Sequence, residues 1–240
     1  MLLLFDIDGT LLTDTRQPVG EAMRLALREV HGVDTSFVRA QIPTAGRTDG
    51  EIARAILVDA GVPSERIDVL AGSVREIFCQ ACVELLPDDL SQAVLPGVRQ
   101  LLDWLAQQVD VKLGLLTGNY EPLAWLKLTR AGIDRAFPLG QGAFGSDAED
   151  RTALPAIARR RAGMFHAPYP SRHTIVIGDT PRDISCARGD GLRCVAVASG
   201  PFTSEALTGA DAVARNAAEL PQILRALGVG VSAVTAVANR

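Results

Sequence analysis

With 240 residues, 48% hydrophobic and 22% charged, the chain has room for one large domain, or a main domain with a small companion, and ample apolar material for a core. A net charge of −4 excludes broad nucleic-acid binding, which requires a basic face. Four cysteines, Cys79, Cys82, Cys186 and Cys194, are too few for a disulfide scaffold at this size. Cys79-x-x-Cys82 lacks a second Cys/His pair to close a metal site, so helix packing is expected of it.

The chain opens on LLLFD (residues 2–6), a continuously apolar run that reads as a buried strand and ends by presenting Asp6 and Asp8. It lacks a positive leading region and is cut by an acid after five residues, so no secretory signal is expected there. Residues 14–94 then break the strand rhythm and read as all-helical. Met23, Ala26, Leu27 and Val30 run up to Gly32, and Ile52, Ala55, Ile56 and Ala60 up to Gly61. A third stripe follows Ile67, Leu70, Ala71, Val74, Phe78, Cys82 and Leu85. Thr48-x-x-Glu51 is the signature of a helix start, and Arg47 stands just before it.

After Pro96-Gly97 a helix is expected along Val98, Leu101, Leu102, Leu105 and Val109. Further strands are expected in VKLGLLTG (111–118), TIVIGD (174–179) and RCVAVASG (193–200), with a weaker one in AFPLGQGAFG (136–145). A helix ending at Ala131, closed by Gly132, separates two of them. This alternation predicts an α/β fold: a doubly wound, Rossmann-like, mostly parallel sheet over residues 1–13 and 95–240, with residues 14–94 as a small helical domain inserted after the first strand. The apolar C-terminal stretch ALGVGVSAVTAVA (226–238) is too short to span a bilayer, and the corresponding expectation is a cytoplasmic protein without membrane contact. His31, His166 and His173 lack ligand spacing.

Polar signals collect at the carboxyl ends of the expected strands: Asp6 and Asp8 on the first, Thr117-Gly118-Asn119 on the second, Gly178-Asp179 on the third long one. In a parallel sheet those ends share one edge, where ligands of open α/β folds bind. Clustered carboxylates repel unless a cation sits among them, and hard oxygen ligands fit Mg2+. One carboxylate, Asp6, can then attack phosphorus while Asp8 serves the proton transfers. Thr117 and nearby backbone N–H groups suit the phosphoryl oxygens.

Asp6-Ile7-Asp8-Gly9-Thr10, Leu116-Thr117-Gly118-Asn119 and Gly178-Asp179-Thr180-Pro181-Arg182-Asp183 resemble the motifs of the haloacid dehalogenase-like hydrolase superfamily in order, spacing and strand context. The helical insertion resembles that superfamily's C1-type cap. The resemblance implies that Asp6 is nucleophile and Mg2+ ligand and that Asp8 is general acid/base with its backbone carbonyl on the metal. It further implies that Thr117 binds the phosphoryl group, that Asp179 ligates Mg2+ and that Asp183 supports it. Gly118 and Asn119 join the substrate site. The family's lysine is absent from its expected stretch. Lys112 falls at the wrong end of its strand and Lys127 inside the following helix, so Arg151 is the expected stand-in.

Asp183 also reads as an ordinary helix-start acid after Thr180 and Pro181, and Thr48 as a helix cap and nothing more. Tyr120 is a candidate pocket residue, and Arg47 a candidate contact from the insertion to a substrate anion. Within the resemblance, Asp8 argues against a dehalogenase, and an insertion without lysine argues against a phosphonatase. The expected activity is therefore a phosphatase acting on a small phosphorylated metabolite, phosphoglycolate being the type suggested by Arg47. The alternatives are a β-phosphoglucomutase-like mutase and a silent relative acting as a binding module. A receiver-type signalling domain lacks such an insertion. Oligomeric state is not legible in the sequence.

Overall fold

The computed structural model describes residues 1–13, 15–35, 42–164 and 167–230; His166 and residues 231–238 of the apolar C-terminal stretch lie outside them. Six strands, β1 (Leu2–Phe5), β2 (Lys112–Thr117), β3 (Gly142–Phe144), β4 (Thr174–Gly178), β5 (Arg193–Val197) and β6 (Ala212–Ala214), form one sheet in the order β3-β2-β1-β4-β5-β6. Every pairing is parallel, so all strand ends of one kind share an edge. β1 is central because its residues are fully apolar and buried, as a strand covered on both faces must be. Leu3 and Phe5 pack on one face and Leu2 and Leu4 on the other. Each such side chain contributes about 1.5–3 kcal/mol on burial.

Helices α4 (Val98–Ala106), α5 (Glu121–Ala131) and α8 (Leu220–Ala226) contribute to the first core, and α6 (Leu154–Ala162) and α7 (Pro181–Gly189) to the second. Between β1 and β2 run α1 (Arg16–His31), α2 (Asp49–Asp59) and α3 (Ser64–Leu85), which build a third hydrophobic cluster around Met23, Leu27, Leu57, Val74 and Phe78. The α/β architecture is that expected from the strand-helix alternation.

Several local expectations are corrected. α4 stops at Ala106, and Val109 is 90% exposed in the turn beyond it. The buried stripe of α2 is Asp49, Ala53 and Leu57, one position off the Ile52-Ala55-Ile56 stripe. That helix is packed on two sides, with Ile52 turned to the cavity described below. β6 is only three residues long and carried no signal strong enough to mark it.

The insertion is seated on the sheet's carboxyl edge. The Asp49 backbone N–H donates to Gly118 O (2.8 Å), and the Asp49 carboxylate accepts from the Tyr120 N–H (2.7 Å). Thr48 caps α2 through Glu51 N, but it is not only a cap, since its hydroxyl donates to Glu149 O (2.6 Å). A Cβ on Gly118 would lie 2.1 Å from the carbonyl oxygen of Arg47, so only glycine permits this approach. Tyr120 belongs to this joint rather than to the cavity, its ring edge-on to Phe78 at 5.8 Å.

Candidate active site

Parallel register sets the floor of the site. Phe5 is level with Leu115 on β2 and Ile177 on β4, so the residues that follow each strand emerge side by side. Asp6 keeps the ladder through its N–H to Ile177 O (2.9 Å), while its side chain meets those of Asp179 and Asp183. One oxygen of each of the three lies within 4.8 Å of the others, and all three residues are buried. Asp179 is held by the Thr10 hydroxyl at 3.2 Å. Gly9, with φ of 89°, passes so close that a Cβ would sit 2.2 Å from Asp179 Oδ2.

Asp183 is the helix-start acid expected of it, and it also meets the acidic cluster. Its Oδ2 completes a capping box with Thr180 at the start of α7, and its Oδ1 accepts from Arg151 Nη2 at 2.5 Å. Arg151 Nη2 also lies 3.1 Å from Asp6 Oδ1, and its Nε is buried without a partner among the described residues. One guanidinium does not balance three carboxylates. Burial pushes the Asp6 carboxyl up to about 7 against the pull of Arg151, with Asp183 and Asp8 adding repulsion. Burial followed by the charges of Asp6 and Asp183 raises Asp179 to about 8. An all-oxygen donor set with excess negative charge suits a hard divalent cation such as Mg2+.

The Asp8 side chain stands apart from this triad, and its partner is the lysine that the sequence reading set aside. Lys127 is 1% exposed, and its ammonium donates to Asp8 Oδ1 (2.8 Å), Asp8 Oδ2 (2.7 Å) and Asn119 Oδ1 (2.8 Å). Its helical location is as expected; its place beside Asp8 was not. α5 buries Leu123, Ala124, Lys127, Leu128 and Ala131, so a lysine on the inward stripe was the available signal. Asn119 Nδ2 donates to Asp8 Oδ2 (2.8 Å) and Thr117 Oγ1 (2.9 Å), and Thr15 Oγ1 donates to Asp8 Oδ1 (3.1 Å). Burial pushes the Asp8 carboxyl up, but Lys127, Asn119 and Thr15 together outweigh it and hold the group below its usual range. Thr117 Oγ1 also accepts from the Asn119 N–H (3.3 Å), which leaves its O–H to donate toward the cavity.

These groups line a cavity of about 390 Å³ between the sheet edge and the insertion. Its floor carries Asp6, Asp8, Thr117, Gly118, Asn119, Lys127, Arg151 and Asp179, and its roof Val19, Met23, Ile52 and Arg47. Arg47 is paired with Glu51 at 3.3 Å, and its Nε is buried without a partner among the described residues. No described helix is long and apolar enough to cross a membrane.

Comparison with known proteins agrees with this geometry. A phosphoglycolate phosphatase of Pseudomonas syringae pv. tomato is 27% identical over 201 residues, covering 83% of this chain and 70% of that protein. A probable phosphatase, IndB, of Dickeya dadantii is 27% identical over 213 residues, covering 88% and 86%. A β-phosphoglucomutase structure from Clostridium difficile superposes with a TM-score of 0.66 at 17% identity, covering 94% of this chain and 96% of that one, and so shares the fold. The haloacid dehalogenase-like hydrolase profile matches residues 1–191. With that match over most of its length, the chain belongs to the haloacid dehalogenase-like hydrolases.

Proposed function

We propose that this hydrolase is a Mg2+-dependent phosphatase that cleaves a small phosphomonoester through an aspartyl-phosphate on Asp6. The observation that carries the reading is the convergence of Asp6 and Asp179, with Arg151, on the floor of one cavity, and of Asp183 on the same acidic cluster behind them. Asp6, Asp179 and Asp183 would hold the ion, with the backbone carbonyl of Asp8 as a further ligand. When bound, Mg2+ supplies charge neutralisation for the phosphoryl oxygens and for the acids around it.

The remaining work falls to the chain's own groups. Asp6 attacks phosphorus and the ester oxygen departs with a proton that Asp8, ionised at rest, relays from solvent, leaving a phosphoryl group on Asp6. Asp8 then takes a proton from the water that attacks this intermediate, and phosphate leaves. Arg151 holds Asp6 and offers its free N–H to a phosphoryl oxygen. The Thr117 hydroxyl and the backbone N–H groups of the Thr117-Gly118-Asn119 loop bind the same oxygens. Residues 14–94 act as the cap of a core formed by 1–13 and 95–240. They cover the cavity, and Arg47 meets a second anionic group on the substrate. Similarity to phosphoglycolate phosphatases makes phosphoglycolate the first ester to try.

The test is phosphate release from p-nitrophenyl phosphate and a panel of small metabolite esters, with and without Mg2+. Turnover that requires Mg2+ supports the reading. No turnover on any ester overturns it.

A further inference from the structure

The site holds two cations on two neighbouring acids, and only one of them stands where the resemblance placed it. Resting on the phosphatase reading above, we propose that Lys127 is a positioning residue, whose task is to hold the Asp8 carboxylate in the orientation its proton transfers require. All three ammonium donors are used, two on Asp8 and one on the Asn119 amide oxygen. The Asn119 amide in turn donates to Asp8 and to Thr117, so Lys127, Asp8 and Asn119 form one closed ring with Thr117 attached to it. With Thr15 added, Asp8 receives four hydrogen bonds, two on each oxygen, which hold its carboxylate in one orientation.

A purely structural lysine does not fit this arrangement well. A buried ammonium is unfavourable unless its partners are excellent, and an apolar residue would serve packing better on the inward stripe of α5. The Asp8 side chain, in contrast, is 34% exposed, its surface open to the cavity. Asp6 and Asp8 are only two positions apart, yet Arg151 precedes α6 while Lys127 lies on α5. Separate anchors let the nucleophile and the proton-transfer group be oriented independently.

A double-mutant cycle tests this. Lys127→Met is expected to lower kcat by about 10²-fold, within the range for general acid–base catalysis, while KM changes by less than about 3-fold. In an Asp8→Asn background the same substitution should lower kcat by less than about 3-fold further, because the group it acts through is gone. Lys127→Arg, which keeps the charge but displaces the carboxylate, should recover part of the rate, and thermal melts identify variants that fail to fold. If Lys127→Met does not fold, Lys127→Arg carries the same cycle with the same expectation of a vanishing effect. Losses of equal size in both backgrounds, or an unchanged kcat in a folded Lys127 variant, overturn the proposal while leaving the phosphatase reading intact. An inactive wild type overturns both.

Discussion

The two walls of the cavity are opposite in character. The floor concentrates Asp6, Asp179 and Arg151, backed by Asp183, with the Lys127–Asp8 pair beside them. The roof presents Val19, Met23 and Ile52 and, among the described lining residues, one cation, Arg47. Where apolar side chains of the roof lie over the charged floor, electrostatic contacts on the floor are stronger for it. The difference teaches a division of labour. Floor residues should govern turnover of every ester alike, and roof residues the choice among esters.

The largest effect should come from withholding the divalent ion proposed for the floor. EDTA is expected to abolish phosphate release for all esters, and added Mg2+ to restore it; an EDTA-resistant rate would detach the acids from metal binding. Next, Arg151→Met leaves two buried carboxylates without their partner. It should lower stability by about 3–5 kcal/mol in urea melts and reduce kcat for every substrate.

Asp49, at the seam between floor and roof, tests the closed arrangement through pH. Burial outweighs the hydrogen bond from Tyr120 and raises its carboxyl to about 7, whereas an unfolded aspartate titrates near 4. Between those values the folded chain binds more protons than the unfolded one, so this group makes stability fall as pH rises. Asp49→Asn should flatten that decline, by at most on the order of 4 kcal/mol between pH 4 and 8. An unchanged slope would mean that Asp49 is hydrated in solution and the seam open. The smallest effect belongs to the roof. Arg47→Ala should raise KM about tenfold, or about 1.4 kcal/mol, for esters with a second anionic group and leave kcat nearly unchanged. A uniform loss across esters would move Arg47 from selectivity to catalysis.

Much of the floor could be read in the sequence because strand ends in a parallel sheet converge by rule. Asp6, Thr117 and Asp179 needed only strand assignment and direction. The Lys127 contact with Asp8 was hidden because it depends on where α5 lies against β1, a tertiary fact. Its trace in the sequence was a charged residue on an otherwise apolar stripe. α2 was misread by one position because a helix packed on two sides has no single apolar face for periodicity to find. β6 was too short, at three residues, to rise above the turns around it. The buried Asp49 gave no signal, since a helix-start acid is ordinary until another element covers it.

The central claim is that Asp6 forms the bond to phosphorus, and Asp6→Asn measures it most directly. In saturating Mg2+, phosphate release from p-nitrophenyl phosphate should fall by about 10³-fold or more while the variant still melts cooperatively. A folded Asp6→Asn enzyme within tenfold of wild type would contradict it.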